Sequence, residues 1–316
     1  MDYAILFVTD LHGSNVCLKK ALNGAKLYKA NALVIGGDIT GKMVVPIVKH
    51  ENQHTAEYQG TKYVLKSTEE LDRLCRIVGD SGHYPYITSE EEMLQLRGNK
   101  QETDKIFSKL SMTRLKEWLQ IIEERLKNTG IDLYVTGGND DFFEVSDILR
   151  SSNAVVDPEG RVVSIGGHEM ISSGYSNMTP WKCPRDIPDE ELQKKLEEMA
   201  SQLKDTKTAI FNLHTPPYDT PIDLAPELDE TLRPKMSAGE GGMKMIHVGS
   251  MAVRKIIDKY QPLLGLHGHI HESRGAIKVG RTVCVNPGSE YAEGVLRGVM
   301  LRLSKDKMLD YVFFAG

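Results

Sequence analysis

Cysteine is scarce in this 316-residue chain. Cys17, Cys75, Cys183 and Cys284 show none of the paired spacings of a disulfide framework or zinc site, so reduced, mostly buried thiols are expected. Long apolar runs are missing too, since no uninterrupted stretch approaches the roughly 20 residues of a membrane span. Basic residues never gather in a block. With 39 Lys and Arg against 44 Asp and Glu the formal charge is −5, which argues against a broad nucleic-acid footprint but is compatible with a small phosphorylated substrate. Several loops that would identify other chemistry are absent: Gly36-Gly37-Asp38 is not a GxGxxG turn, no Walker loop occurs, and no serine sits in a nucleophile elbow. No basic segment or cleavage site precedes the strand-like sequence at Tyr3, so a cytoplasmic protein is expected.

What is present is an ordinary globular composition, 40% hydrophobic and 26% charged, on a chain long enough for one elaborated domain over 1–316. The organising stretch is Leu264-Gly265-Leu266-His267-Gly268-His269-Ile270-His271, an apolar run ending in histidines at alternate positions. In extended backbone alternate side chains share a face, and neutral imidazoles are good ligands for divalent transition metals. A histidine in an apolar run is more often a hydrogen-bonded core residue than a ligand, so the rest of the chain must supply partners.

It does so at the ends of other strands. Ala4-Ile5-Leu6-Phe7-Val8 is apolar throughout, as a strand covered on both faces should be, and Asp10 and His12 follow it. Ala32-Leu33-Val34-Ile35 ends in Gly36-Gly37-Asp38. Leu133-Tyr134-Val135 leads to Gly137-Gly138-Asn139-Asp140-Asp141, and Ala209-Ile210-Phe211-Asn212-Leu213 ends at His214. Ligands in open α/β sheets bind outside the carboxyl ends of strands. Each residue also has a structural use, since Asp10 or Asp38 can cap a helix and Asn139 can favour a turn.

Two segments interrupt the alternation. Over 42–130 we expect an inserted subdomain, with a hairpin of strands at 43–49 and 58–66, helices starting near Thr68 and Ser89, and a longer helix to about Lys127 whose buried stripe is Leu115, Trp118, Leu119, Ile122 and Leu126. Its fourteen basic and fourteen acidic residues cancel, and His50, His54 and His83 are expected at the surface. Residues 218–249, rich in proline, glycine and acidic residues, read as one long loop. Both segments leave ligand-bearing strand ends and are expected to wall the site. His168 is expected to be structural, and Ser250 to cap a helix.

In this order and context, Asp10-x-His12, Gly37-Asp38, Gly138-Asn139-Asp140, His214 and Gly268-His269-x-His271 closely resemble the calcineurin-like metallophosphoesterase family. The resemblance spans nearly the whole chain except the insert and the long loop. It implies an α/β fold (α+β in some schemes), a β-sandwich flanked by helices. It also implies that Asp10, His12 and His271 hold one metal, that Asn139, His214 and His269 hold another, and that Asp38 bridges them. Manganese is the first choice by likeness, with iron, zinc and nickel sharing the same ligand types. Two such ions make hydroxide available from a bridging water near neutral pH, giving hydrolysis of a small phosphorylated metabolite or nucleotide, diester or monoester. A binding scaffold that has lost turnover is the competing class.

One position departs from the pattern. Most family members have histidine after the asparagine, facing the leaving group, whereas this chain has Asp140. Aspartate cannot donate a proton near neutral pH as imidazolium can, so Asp140 is expected to orient a water or a neighbouring group. Arg274, three residues past His271, is a candidate phosphate contact. An arginase-type centre is disfavoured because Ser14 stands where a D-x-H-x-D motif needs aspartate.

Overall fold

The computed structural model describes residues 2–237 and 241–316. Two β-sheets face each other. The first has the order β19-β18-β1-β2-β7, formed by Met308–Ala315, Arg297–Leu303, Tyr3–Val8, Ala32–Ile35 and Asp132–Val135. The second has the order β16-β17-β15-β12-β9-β8, formed by Gly275–Val279, Thr282–Asn286, Leu264–Leu266, Ile210–Leu213, His168–Ser173 and Val162–Ile165. Helices α1 (Asn15–Leu27), α4 (Lys100–Leu126) and α5 (Glu144–Arg150) cover the outside of the first sheet, and α6 (Asp189–Ala200) and α7 (Met251–Tyr260) cover the second.

The continuous apolar runs follow from this layering. On β1, Ile5 and Phe7 join the core between the sheets while Leu6 and Val8 join the core beneath the helices. Each face of the strand is buried, so alternation between polar and apolar residues would leave one layer unfilled. Full burial of a side chain of this size stabilises by roughly 1.5–3 kcal/mol. The mixed α/β sandwich agrees with the expected fold. Among the described residues no helix is long and apolar enough to cross a membrane.

Local signals set the helix starts. The Ser67 side chain accepts from Glu70 N while the Glu70 carboxylate accepts from Ser67 N, a capping box that opens α2 (Thr68–Asp80). Ser250 accepts from Val253 N to open α7, which ends at Gln261 in the left-handed region, φ 47°.

Two sequence expectations are corrected. The hairpin predicted at 43–49 and 58–66 is part of a four-stranded sheet, β5-β4-β3-β6, formed by Thr61–Leu65, His54–Tyr58, Val44–Lys49 and Tyr84–Ser89. β4 is polar and only partly covered, so no apolar pattern announces it. Pro46 lies on β3 beyond the point where β4 pairing begins at Ile47, so its missing N–H breaks no bond to β4. The long loop at 218–249 contains a short antiparallel ribbon, β13 (Leu224–Pro226) with β14 (Met245–His247). A second small pair, β10 (Ser176–Asn177) with β11 (Asp186–Ile187), lies near the site. Within 42–130, Val45, Ile47, Tyr58, Leu65, Leu74 and Val78 form a small core of their own, while the Leu115 to Leu126 stripe of α4 packs on the first sheet. α3 (Glu90–Leu96) starts at its Ser89 cap, as expected.

Candidate metal centre

Parallel register brings the carboxyl ends of β1, β2 and β7 together in one sheet and those of β9, β12 and β15 together in the other. Backbone bonds between the loops seal the meeting point: Asp10 N donates to Gly37 O, His12 N to Asp38 O and Gly268 N to His214 O. Four of the inferred ligands adopt the left-handed backbone region that disfavours non-glycine residues, with φ of 53° at Asp10, 40° at His12, 47° at Asp38 and 65° at His269. Such strain concentrates where surrounding structure imposes a functional geometry.

The side chains converge. His12 Nε2 lies 3.2 Å from His271 Nε2, and His271 Nε2 lies 3.4 Å from Asp10 Oδ1. Asp38 faces two ways, with Oδ1 3.4 Å from His214 Nε2 and Oδ2 3.6 Å from His12 Nε2. Asp10, His12 and His271 form one group able to hold an ion, Asp38, His214 and His269 form another, and Asp140 joins His12 and Asp38 in a third. Glycines permit this approach. A Cβ on Gly138 would stand 2.1 Å from Asp38 Oδ1, and one on Gly268 would stand 2.4 Å from Asp10 Oδ2.

The donor atoms suit a cation. His214 Nδ1 is engaged by Gly36 O at 3.1 Å, which aims Nε2 into the site, where it is buried without a hydrogen-bond partner. Asn139 Nδ2 donates to Asp186 Oδ1 at 2.9 Å, leaving Asn139 Oδ1 buried and unpaired. Unpaired buried acceptors are costly unless something compensates them, and an ion would. Asp10 is oriented by Thr9 Oγ1 and by the His269 N–H, at 2.7 and 3.1 Å from Oδ2.

Titration reflects the same charge pattern. Burial pushes the Asp10 and Asp38 carboxyls up, but the imidazoles around them outweigh it and hold both below the usual carboxylate range. Burial pushes His214 down, yet without an ion Asp38 and Asp10 raise it to about 9, so a cation held at Nε2 would take the place of a proton. Burial is the main cause that lowers His269 to about 4 and puts His12 well below its usual value, so both are neutral and able to ligate near neutral pH.

His267, in the same organising stretch, does not join the other two histidines. The strand ends at Leu266, and the His267 ring turns into the core with Nδ1 2.8 Å from Leu213 O. His168 is buried with Nδ1 2.8 Å from Thr208 O, the structural place expected for it. His50, His54 and His83, expected at the surface, are half-buried, and His83 Nδ1 is 2.9 Å from the Tyr58 hydroxyl. All four cysteines are free, Cys17 and Cys284 buried.

Asp140 lies at the rim, 3.1 Å through Oδ2 from Lys42 Nζ, and its Oδ1 accepts from Cys183 Sγ at 3.3 Å. Burial lowers Lys42, but Asp140 and Asp38 outweigh it and hold the ammonium above its ordinary value. Lys42 was not singled out from sequence, although it directly follows the Asp38 loop. Tyr291 was also missed and carries no sequence signal. Its ring lies 4.6 Å from that of His12 and packs beside Gly82 of the insert. Beside His271 a pocket of about 450 Å³ opens, lined in part by Arg274, Ser289, Glu290, Tyr291 and Arg297. The Arg274 guanidinium lies 5.1 Å over the Phe313 ring. Gly82 and Tyr84 of the insert touch the Gly13 and Gly41 loops, while the 218–249 segment meets the loop just after His271, where Leu224 O accepts from Ser273 Oγ.

No protein-family model matches the chain. The uncharacterized protein MJ1162 of Methanocaldococcus jannaschii is 33% identical over 179 residues, 56% of this chain and 73% of that protein. Protein TT1561 of Thermus thermophilus shares the fold over 94% of each chain at 13% identity, TM-score 0.52. A dimetal phosphatase from Danio rerio aligns over 98% of each chain at 8% identity and a TM-score of 0.39. The chain belongs to one family with MJ1162, and its own strand-end motifs, converging in order on one buried site, resemble those of the calcineurin-like metallophosphoesterases.

Proposed function

We propose that this chain is a metal-dependent phosphoesterase that hydrolyses a small phosphorylated metabolite or nucleotide, diester or monoester, with two divalent ions, manganese first. One observation carries the reading: the two oxygens of Asp38 face His214 and His12, members of different ligand groups. A carboxylate so placed can be shared by two cations and offset their mutual repulsion.

When bound, the two ions would supply Lewis acidity toward a phosphoryl oxygen and lower the pKa of water. The chain's own residues hold and orient. Asp10, His12 and His271 would take one ion, Asn139, His214 and His269 the other. Gly36 O fixes the ring of His214, and Asp186 fixes the amide of Asn139, so both present lone pairs inward. The 450 Å³ pocket beside His271 falls within the range for small-molecule sites, which supports a metabolite-sized substrate rather than a polymer.

The test is metal analysis of protein purified without chelator, paired with hydrolysis of an aryl phosphodiester and an aryl phosphomonoester under added manganese. Two bound ions and turnover are expected. Two ions without turnover on a broad substrate panel would replace this reading with a binding scaffold.

A further inference from the structure

Resting on the phosphoesterase reading, we propose that Lys42 is the residue through which this site grips substrate phosphate, with Asp140 as its positioning partner. The place comes first. Lys42 follows Gly41 at the end of the loop that carries Asp38, and its Nζ sits 3.1 Å from Asp140 Oδ2. Through Asp140 it stands beside the metal groups, because ligand atoms of His12, Asp38 and Asp140 all lie within 4.8 Å of one another.

The donors come next. An ammonium has three N–H donors and Asp140 occupies one, while a side chain 42% exposed leaves the others open to an incoming anion. Three neighbouring cations are committed elsewhere. Arg114 binds the backbone oxygens of Gly13 and Gly79, and Arg185 is buried on Asp141 O, Phe142 O and Ser146 Oγ. In the pocket, Arg297 is tied to Glu290, whereas Arg274 gives only its face to Phe313 and keeps its N–H edge on the His271 side.

Charge balance gives the physical reason for the pair. Asp140 alone, 29% exposed beside the metal groups, would repel a phosphate approaching them. Lys42 cancels that charge and turns the rim into a donor surface. Asp140 in turn holds a long, flexible side chain in one place, lowering the ordering cost when substrate binds. Lys42 acts as a charged hydrogen-bond donor, and no proton leaves it.

The probe is inorganic phosphate, titrated calorimetrically into the manganese-loaded full chain. Loss of one charge-assisted hydrogen bond should weaken phosphate binding by roughly 10- to 100-fold in Lys42→Met, while Lys42→Arg stays within about threefold of wild type. Manganese stoichiometry should be unchanged in both. Phosphate binding by Lys42→Met equal to wild type, or loss of manganese from it, overturns the assignment. The two readings separate cleanly. Lys42-dependent phosphate binding without hydrolysis of any ester rejects the enzyme and keeps the phosphate contact. Hydrolysis with phosphate binding and KM unaltered in Lys42→Met rejects Lys42 and keeps the enzyme. A manganese-loaded wild type that binds no phosphate rejects both.

Discussion

Asp141 and Thr40 are joined across the sheet, the Asp141 Oδ1 atom accepting from the Thr40 N–H at 2.8 Å and from its hydroxyl. Asp141 Oδ2 accepts from Ile39 N at 2.9 Å and from Gly138 N at 2.7 Å. One fully buried carboxylate therefore clamps the loop bearing Asp38 to the loop bearing Asn139. Burial and the nearby Asp38 push its pKa up despite these bonds.

Replacing Asp141 by alanine would strand three buried backbone N–H groups. At about 1–3 kcal/mol for each unsatisfied group, Asp141→Ala should lose several kcal/mol of stability and release metal. Denaturant unfolding with metal analysis reads both. A variant as stable and as metal-loaded as wild type would mean that water replaces the clamp.

Asp38→Ala tests the shared carboxylate. A strand-end ligand contributes little to the core, so the fold should persist while bound metal drops and turnover vanishes. Far-ultraviolet circular dichroism, elemental analysis and an aryl phosphate assay together decide. Unchanged activity would falsify the two-metal assignment.

Glu159 supplies a pH test away from the metal groups. Burial raises its carboxyl to about 7, against the charge of Arg185 and the hydrogen bond from Gly174 N. Because the folded pKa exceeds the unfolded value, the native state holds the extra proton, and stability falls as pH rises through the window from about 4.5 to 7. The lost stability is of order 3 kcal/mol for such a shift. Glu159→Gln should flatten that part of the stability profile, measured by urea midpoints at pH 5 and pH 8. Parallel profiles for the two proteins would show that the burial cost is relieved in solution.

The strand ends were legible because a doubly covered strand is apolar throughout and then changes abruptly to polar ligand types. That is why Asp10, Asp38, Asn139 and His214 could be placed from sequence. His267 was less legible, since alternate spacing holds only while backbone stays extended and here the strand stops at Leu266. β4 and α5 escaped because their exposed faces carry charge and their buried residues are few. Lys42 and Tyr291 reach the site from separate segments, a contact no local pattern encodes. Pairing of Asp140 with Lys42 likewise depends on the tertiary approach of residues 98 positions apart by number.

That pairing shapes the last prediction, which concerns Asp140 itself. The carboxylate is engaged by Lys42 Nζ and the Cys183 thiol, and its own N–H donates to Asp38 Oδ1 at 3.0 Å. Both carboxylate oxygens are thus already engaged as acceptors, whereas an imidazolium at the same position would turn an N–H toward a departing alkoxide. The wild-type enzyme should then favour leaving groups that need little protonation, with rates falling steeply across a series of aryl esters as the leaving-group pKa rises. Asp140→His should flatten that slope and raise the rate on poor leaving groups most, while changing the best leaving group little. The variant also frees Lys42 from its partner, so phosphate binding is measured alongside to separate a binding change from a change in the bond-breaking step. With chemistry rate-limiting, a wild-type rate insensitive to leaving-group pKa would show that another group protonates the leaving oxygen and that Asp140 only holds Lys42 in place.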